Sequence, residues 1–183
     1  MTAYIAFLRG INVGWNNIIK MESLRNAFEE MGFSSVRTYI QSWNVLFKSQ
    51  LEDIATLEKD IEAWLSEKFN YSARALVRSR NEMESIVLHF PKIFENDEWR
   101  HNVIFLYKNI DSEEILTRFK LKEDIEQVHY YKWVLYWSAK KDEINKTARF
   151  KLASQKEYKD MTIRNINTTK AILELMRSEE NNL

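Results

Sequence analysis

Val36-Arg37-Thr38-Tyr39-Ile40 and Val45-Leu46-Phe47 flank the polar tetrapeptide Gln41-Ser42-Trp43-Asn44, and this stretch decides the fold. Two short β-prone runs around a polar turn predict a hairpin. Upstream, Met21, Leu24, Phe28 and Met31 recur at helical spacing and form one apolar face. Gly32 follows, where a left-handed residue ends a helix. Before that helix, Ala3 to Arg9 reads as a buried strand closed by Gly10. Downstream, Ile54, Leu57, Ile61, Trp64 and Leu65 mark a second helix, and Ala73 to Arg78 a further strand. Ser79 with Glu82 three residues later has the spacing of a capping box, opening a short helix that Pro91 ends. The order is β-α-β-β-α-β, the split unit of ferredoxin-like folds.

The second half predicts the same order. Asn102 to Tyr107 is a strand, and Asp111 with Glu114 caps a helix holding Ile115 and Phe119. Glu126 to Tyr130 and Trp133 to Trp137 form a hairpin, and a polar helical segment runs from about Ile144 to Tyr158. A strand, Met161 to Arg164, and a last amphipathic helix with Ile166, Ile172, Leu173 and Met176 complete it. The halves also match in sequence: Phe7-Leu8 with Phe105-Leu106, and Val45 to Ser49 with Val134 to Ser138. The expected fold class is therefore α+β, with two tandem ferredoxin-like units, antiparallel sheets and helices packed on one face. The expected domains are residues 1–91, with the connecting helix, and 92–183, with the C-terminal helix.

Composition narrows the function classes. A chain of 183 residues buries roughly 70% of its unfolded surface and needs no disulfide or metal staple. The absence of cysteine removes thiolate zinc sites and thiol nucleophiles. Lys and Arg total 27 against 27 for Asp and Glu, a balance that argues against a dedicated nonspecific nucleic-acid binder. No run approaches the ~18 to 20 apolar residues of a membrane helix, and Ala3 to Leu8 is too short for a secretory core. The expected address is the cytoplasm, with no membrane partner.

The topology itself points to a site. In a ferredoxin-like unit the end of the first strand and the turn of the hairpin meet at one end of the sheet. The loop after β-strand one and the turn 41–44 are therefore neighbours. One rim then carries Arg9, Gly10, Asn12, Gly14, Trp15, Asn16, Asn17, Gln41, Ser42, Trp43 and Asn44, beside the helix start at Lys20. Glycine, asparagine, a cation and a helix N-terminus together suit a phosphate or carboxylate. The plain alternative is that glycine and asparagine serve here as turn formers. A second polar junction, Thr162 to Thr169, offers Arg164, Asn165 and Thr168 as ligand contacts, or Asn165, Asn167 or Thr168 as a helix cap.

Residues 139–160 hold seven cations (Lys140, Lys141, Lys146, Arg149, Lys151, Lys156, Lys159) against four acids. Tyr130, Tyr131, Trp133, Tyr136 and Trp137 lie just upstream. Cations beside aromatics are what single-strand binding surfaces use, although hairpin aromatics also pack cores. Catalytic signals are thin. His89, His101 and His129 are widely spaced, without a metal-binding pattern, and no nucleophile elbow or phosphate loop is present. No catalytic residue, cofactor or metal is assigned.

Four blocks carry a resemblance: Tyr4-Ile5-Ala6-Phe7-Leu8-Arg9-Gly10-Ile11-Asn12-Val13-Gly14, Lys20-Met21 with Leu24-Arg25, Gly32-Phe33 through Val36 to Ser42, and Thr162 to Thr169. In these the chain resembles the bacterial family called domain of unknown function 1697. The resemblance implies two ferredoxin-like α+β units in one small cytoplasmic protein, and no established activity comes with it. The family pattern places glycines after Gly14 and between Ser42 and Asn44, where this chain has Trp15 and Trp43. Both indoles fall on the expected rim, where they line it or cover it.

The leading expectation is a binding module for a small anionic ligand at the rim. Arg9 and Lys20 would supply charge, Asn12 and Asn44 hydrogen bonds, and Trp15 and Trp43 an apolar wall. The alternatives are RNA or single-strand binding through residues 139–160, and a protein assembly module, with monomer and dimer both open.

Overall fold

The computed structural model describes residues 1–10, 19–39, 43–94 and 97–178. Strand β1 (Thr2–Arg9) is central to the first sheet because its whole middle is apolar, and Tyr4 to Leu8 are all buried. It pairs antiparallel with β3 (Asn44–Ser49) on one side and β4 (Arg74–Ser79) on the other. With β2 (Ser34–Tyr39) outside β3 the order is β2-β3-β1-β4, that of a ferredoxin-like sheet. Helices α1 (Met21–Glu30) and α2 (Ile54–Phe69) bury Leu24, Ala27 and Phe28, and Leu57, Ile61 and Leu65, against Tyr4, Ala6, Leu8, Val45, Phe47, Ala75 and Val77. Trp64, expected on this apolar face, is 38% exposed.

The helix ends are as the sequence reads. Gly32 has φ 83°, donates to the Glu29 carbonyl at 2.9 Å, and Phe33 donates to that of Phe28 at 3.3 Å. The Phe28 and Phe33 rings then meet at 5.9 Å, the apolar contact that accompanies this cap. Ser79 and Glu82 form the expected reciprocal box at the start of α3 (Arg80–Leu88): the Ser79 amide donates to Glu82 Oε2 at 2.7 Å, and the Glu82 amide to Ser79 Oγ at 3.3 Å.

The second sheet repeats the topology. Strand β5 (Trp99–Leu106) lies between β7 (Val134–Lys140) and β8 (Met161–Asn165), and β6 (Glu126–Tyr131) lies outside β7, giving β6-β7-β5-β8. Helix α4 (Ile166–Ser178) follows β8 as α3 follows β4. The chain thus folds as two four-stranded antiparallel sheets with helices, a double ferredoxin-like α+β arrangement. By compactness it divides into Met1–Glu84 with residues from Ile172 onward, and Ser85–Ala171.

The duplication is real, but its register differs from the sequence match. Phe7 faces Asn44 across the first sheet and Phe105 faces Val134 across the second. Phe7-Leu8 therefore corresponds to Phe105-Leu106 as expected, whereas Val45 corresponds to Leu135 and Phe47 to Trp137. The expected pairing of Val45 with Val134 is one residue out. Such a slip would send each core side chain to the opposite face. Val45 and Phe47 lie in the first core, and Leu135 and Trp137 in the second. A stronger repeat lies in the last strands, where Arg78-Ser79 corresponds to Arg164-Asn165. Each arginine Nη1 donates to the carbonyl just before it, Val77 at 2.7 Å and Ile163 at 2.8 Å, and each following residue caps a helix.

Two expected helices of the second half are instead 3-10 turns. One spans Glu113–Arg118 and is capped by Ser112, whose hydroxyl accepts from the Glu114 amide. Asp111 is not its cap, because its carboxylate accepts the Trp133 amide at 2.8 Å and the Tyr130 hydroxyl at 3.0 Å. The polar segment expected as a helix is three turns, Lys141–Lys146, Arg149–Ser154 and Lys156–Asp160. Buried Glu126 explains the break. It accepts the amides of Ala148 at 2.8 Å and Arg149 at 3.4 Å, which an α-helix would have paired with the carbonyls of Ile144 and Asn145.

Candidate functional site

The rim is described in part. Asn12, Gly14, Trp15, Asn16, Asn17, Gln41 and Ser42 lie outside the described residues. The strand end and the turn do come together: the Leu8 amide donates to the Trp43 carbonyl at 2.9 Å. Arg9 ends β1, and Gly10 has φ 78° with so little room that a Cβ would meet the Ser72 carbonyl at 3.1 Å. Trp43 has φ 59° and packs partly buried against the first core. Asn44 is fully buried, and its amide donates to the Tyr39 carbonyl at 3.3 Å. Lys20 is exposed at the start of α1, whose N-terminus has no side-chain cap.

The second polar junction opens on a cleft of about 480 Å³ in the second unit. Asn165 and Asn167 line it at the start of α4, opposite Trp99, Arg100 and His101 from β5 and Lys141 from the first 3-10 turn after β7. Asn165 is the helix cap, its Oδ1 accepting the Asn167 amide at 2.8 Å. Neither Arg164 nor Thr168 lines the cleft. Arg164 donates to Thr162 Oγ1 at 3.0 Å and to the Ile163 carbonyl.

The cleft is electropositive for reasons that can be named. Neither Arg100 nor Lys141 forms an ion pair among the described residues, and Asp97 is the acid in the lining. Burial pushes the Arg149 guanidinium below its ordinary pKa, the nearby Arg100 charge adds to that, and Glu126 opposes it. His101 Nδ1 lies 2.6 Å from the buried Ser138 hydroxyl, and its ring is parallel to that of Phe94, fixing its orientation. Asn102, next to it, is 5% exposed, and its Nδ2 has no hydrogen-bond partner among the described residues. The helix start adds partial positive charge to this wall. Residue by residue the sequence missed Trp99 and Arg100. The signal was present as Trp99-Arg100-His101 opening a strand.

His89 Nδ1 lies 2.8 Å from the Ser85 carbonyl, and its ring stacks on Tyr131 at 4.3 Å. His129 is exposed and stacks on Tyr136. Among the described residues no cluster of three His, Asp or Glu side chains could hold a metal ion. No helix among them is long and apolar enough to cross a membrane. The aromatics beside the basic segment divide. Tyr136 and Trp137 are fully buried, Trp137 Nε1 donating to Glu126 and the Tyr136 hydroxyl to the Ile86 carbonyl. Two of the five stacking candidates are thus core.

A family model described as a protein of unknown function (DUF1697) matches residues 1–136. No curated protein matches this chain. A solved structure titled the conserved bacterial protein SP0830 from Streptococcus pneumoniae is similar throughout, with a TM-score of 0.83 and 26% identity. The similarity covers 96% of this chain and 98% of that one.

Proposed function

This chain belongs to the DUF1697 family of proteins of unknown function, and from that premise we propose that it is a binding module for a small anionic ligand. The observation that carries the reading is the pair Arg100 and Lys141, without ion-pair partners among the described residues, lining together with the start of α4 a cleft of about 480 Å³. That volume suits a ligand of mononucleotide or sugar-phosphate size. Arg100 presents a planar fork to a phosphate or carboxylate, Lys141 a point charge, and Asn167 an amide. Trp99 supplies an apolar wall.

The rim is a second place for the same function. It is favoured by the hydrogen bond that brings Leu8 to Trp43 and by the uncapped start of α1 at Lys20. There Arg9, Gly10, Asn12, Gly14, Trp15, Lys20, Gln41, Ser42, Trp43 and Asn44 would form the site.

A thermal-shift screen against nucleotides, sugar phosphates and short carboxylates tests both. A ligand at a hundred times its dissociation constant adds about 2.7 kcal/mol, which raises the melting point by several degrees at roughly 2 to 4 °C per kcal/mol. A shift lost in Arg100→Ala places the ligand in the α4 cleft, and one lost in Arg9→Ala places it at the rim. No shift with any small anion overturns the proposal.

A further inference from the structure

A second electropositive groove, whose lining shares no residue with either candidate site, collects five cations from two stretches of chain. Arg118, Lys120 and Lys122 form one wall, and Lys146 and Lys151 the other, around about 260 Å³. The lining contains no carboxylate, in a protein whose cations and acids are equal in number. Lys146 pairs with Glu143 at 2.7 Å, whereas Arg118, Lys120, Lys122 and Lys151 make no ion pair among the described residues.

The clustering is built by the fold. Glu126 is 1% exposed, and its Oε1 accepts the Lys122 amide at 3.1 Å from one wall and the Ala148 amide at 2.8 Å from the other. The same carboxylate thus sets the two basic stretches side by side. Like charges so held repel one another, and an anion between them removes that cost. No aromatic side chain lines the groove, so bases have no stacking surface and phosphate oxygens are what it can read. Its small volume suits a compact ligand with several charges better than a long strand.

We propose that the groove between Arg118–Lys122 and Lys146–Lys151 binds a compact polyphosphorylated small molecule. Arg118 engages phosphate oxygens through two N–H groups, and the lysines neutralise the remaining charge.

Titration calorimetry of the full chain with inorganic triphosphate tests this, with orthophosphate and a short single-stranded RNA as comparators. Triphosphate is expected to bind more than about tenfold tighter than orthophosphate, a gap of roughly 1.4 kcal/mol, and to weaken as salt rises. The double variant Lys122→Ala/Lys151→Ala is expected to lose about tenfold or more in affinity, with an unchanged melting point because both side chains are exposed. Arg118→Ala/Lys120→Ala should do the same independently. In Arg100→Ala the triphosphate binding that the two double variants lose should remain, which separates this site from the α4 cleft. No triphosphate binding at low salt, or undiminished binding in both double variants, overturns the proposal. So does binding of the RNA alone, which would make the groove a nucleic-acid surface. Loss of all triphosphate binding in Arg100→Ala overturns it too, and moves the ligand to the cleft.

Discussion

Trp43 and Trp133 hold the same place in the two sheets. Both have left-handed backbones, φ 59° and 75°, and each carbonyl accepts an amide from the neighbouring first strand, Leu8 at 2.9 Å and Leu106 at 2.8 Å. Two large side chains therefore sit where glycine is the usual solution. A glycine at this position, which the family resemblance implies, would meet this φ without strain.

Substitution at Trp43 should consequently invert the usual order of alanine and glycine. Both variants lose the packing of the indole against the first core, but alanine keeps the left-handed strain, worth roughly 1 to 2 kcal/mol. Trp43→Gly is expected to be more stable than Trp43→Ala by about 1 kcal/mol, where an unstrained loop favours alanine by ~0.4 to 1 kcal/mol. Urea unfolding of the two variants decides it. An alanine variant equal to or better than glycine would show that the turn relaxes.

Much of the fold was legible because it rests on short-range rules. Gly32, the Ser79–Glu82 box and the apolar faces of α1 and α2 each follow from spacing along the chain. What was not legible depends on a distant partner. Asp111 reads as a cap beside Glu114, yet its carboxylate is claimed by Trp133 and Tyr130. Ala148 falls on a helical apolar spacing, yet its amide is taken by Glu126, 22 residues earlier. The α4 cleft was half legible for the same reason: Asn165 and Asn167 mark a helix start, but only the β5–β8 pairing sets Asn102 opposite Asn165 and brings β5 beside it.

Burial of the Tyr130 phenol, with its hydrogen bond to Asp111, gives the protein an alkaline limit. Burial first, and then the Asp111 carboxylate, push the Tyr130 phenol up to about 12 from the ordinary value of about 10. The folded state favours the neutral phenol, so this contribution is complete below pH ~10 and is lost as pH climbs towards about 12. Tyr71 and Tyr136 are shifted further in the same direction by burial, so their contributions also start to fall above pH ~10. Tyr130→Phe should lose about 1 kcal/mol at neutral pH and fall less steeply above pH ~10. Urea midpoints across pH 7 to 11 measure both, and an identical alkaline slope in the variant would refute the assignment.

Glu126 organises the second unit in place of its missing helices. Its two oxygens take the amides of Lys122, Ala148 and Arg149 and the indole N–H of Trp137. Removing the carboxylate strands several buried donors, each worth about 1 to 3 kcal/mol. Glu126→Ala is expected to cost at least about 3 kcal/mol, and Glu126→Gln less, because the amide oxygen still accepts on one side. Chemical unfolding followed by far-UV circular dichroism measures both costs. Near-neutral stability in Glu126→Ala would mean that water takes over the donors.

Strand β4 is an edge of the first sheet, and α2 covers its outward amides with two carboxylates one helical turn apart. Glu62 Oε1 accepts from Ala75 at 3.0 Å and Glu58 Oε1 from Val77 at 2.8 Å. Unpaired edge amides invite strand addition from another chain, so these side chains guard against association as well as stabilising the fold. Burial raises the Glu58 pKa, only partly opposed by the Val77 amide and by Arg78 at 3.8 Å. A raised carboxyl stabilises the fold at low pH, and that contribution fades as pH rises through its folded value. Glu58→Gln, which keeps an acceptor and removes the charge, should therefore match or exceed the parent in stability at neutral pH. Glu58→Ala/Glu62→Ala uncovers both amides, costs roughly 1 kcal/mol for each, and should self-associate with rising concentration. Light scattering over a concentration series separates the two effects. A double variant that associates no more than the parent would leave the carboxylates as stabilising groups and end their role as edge guards.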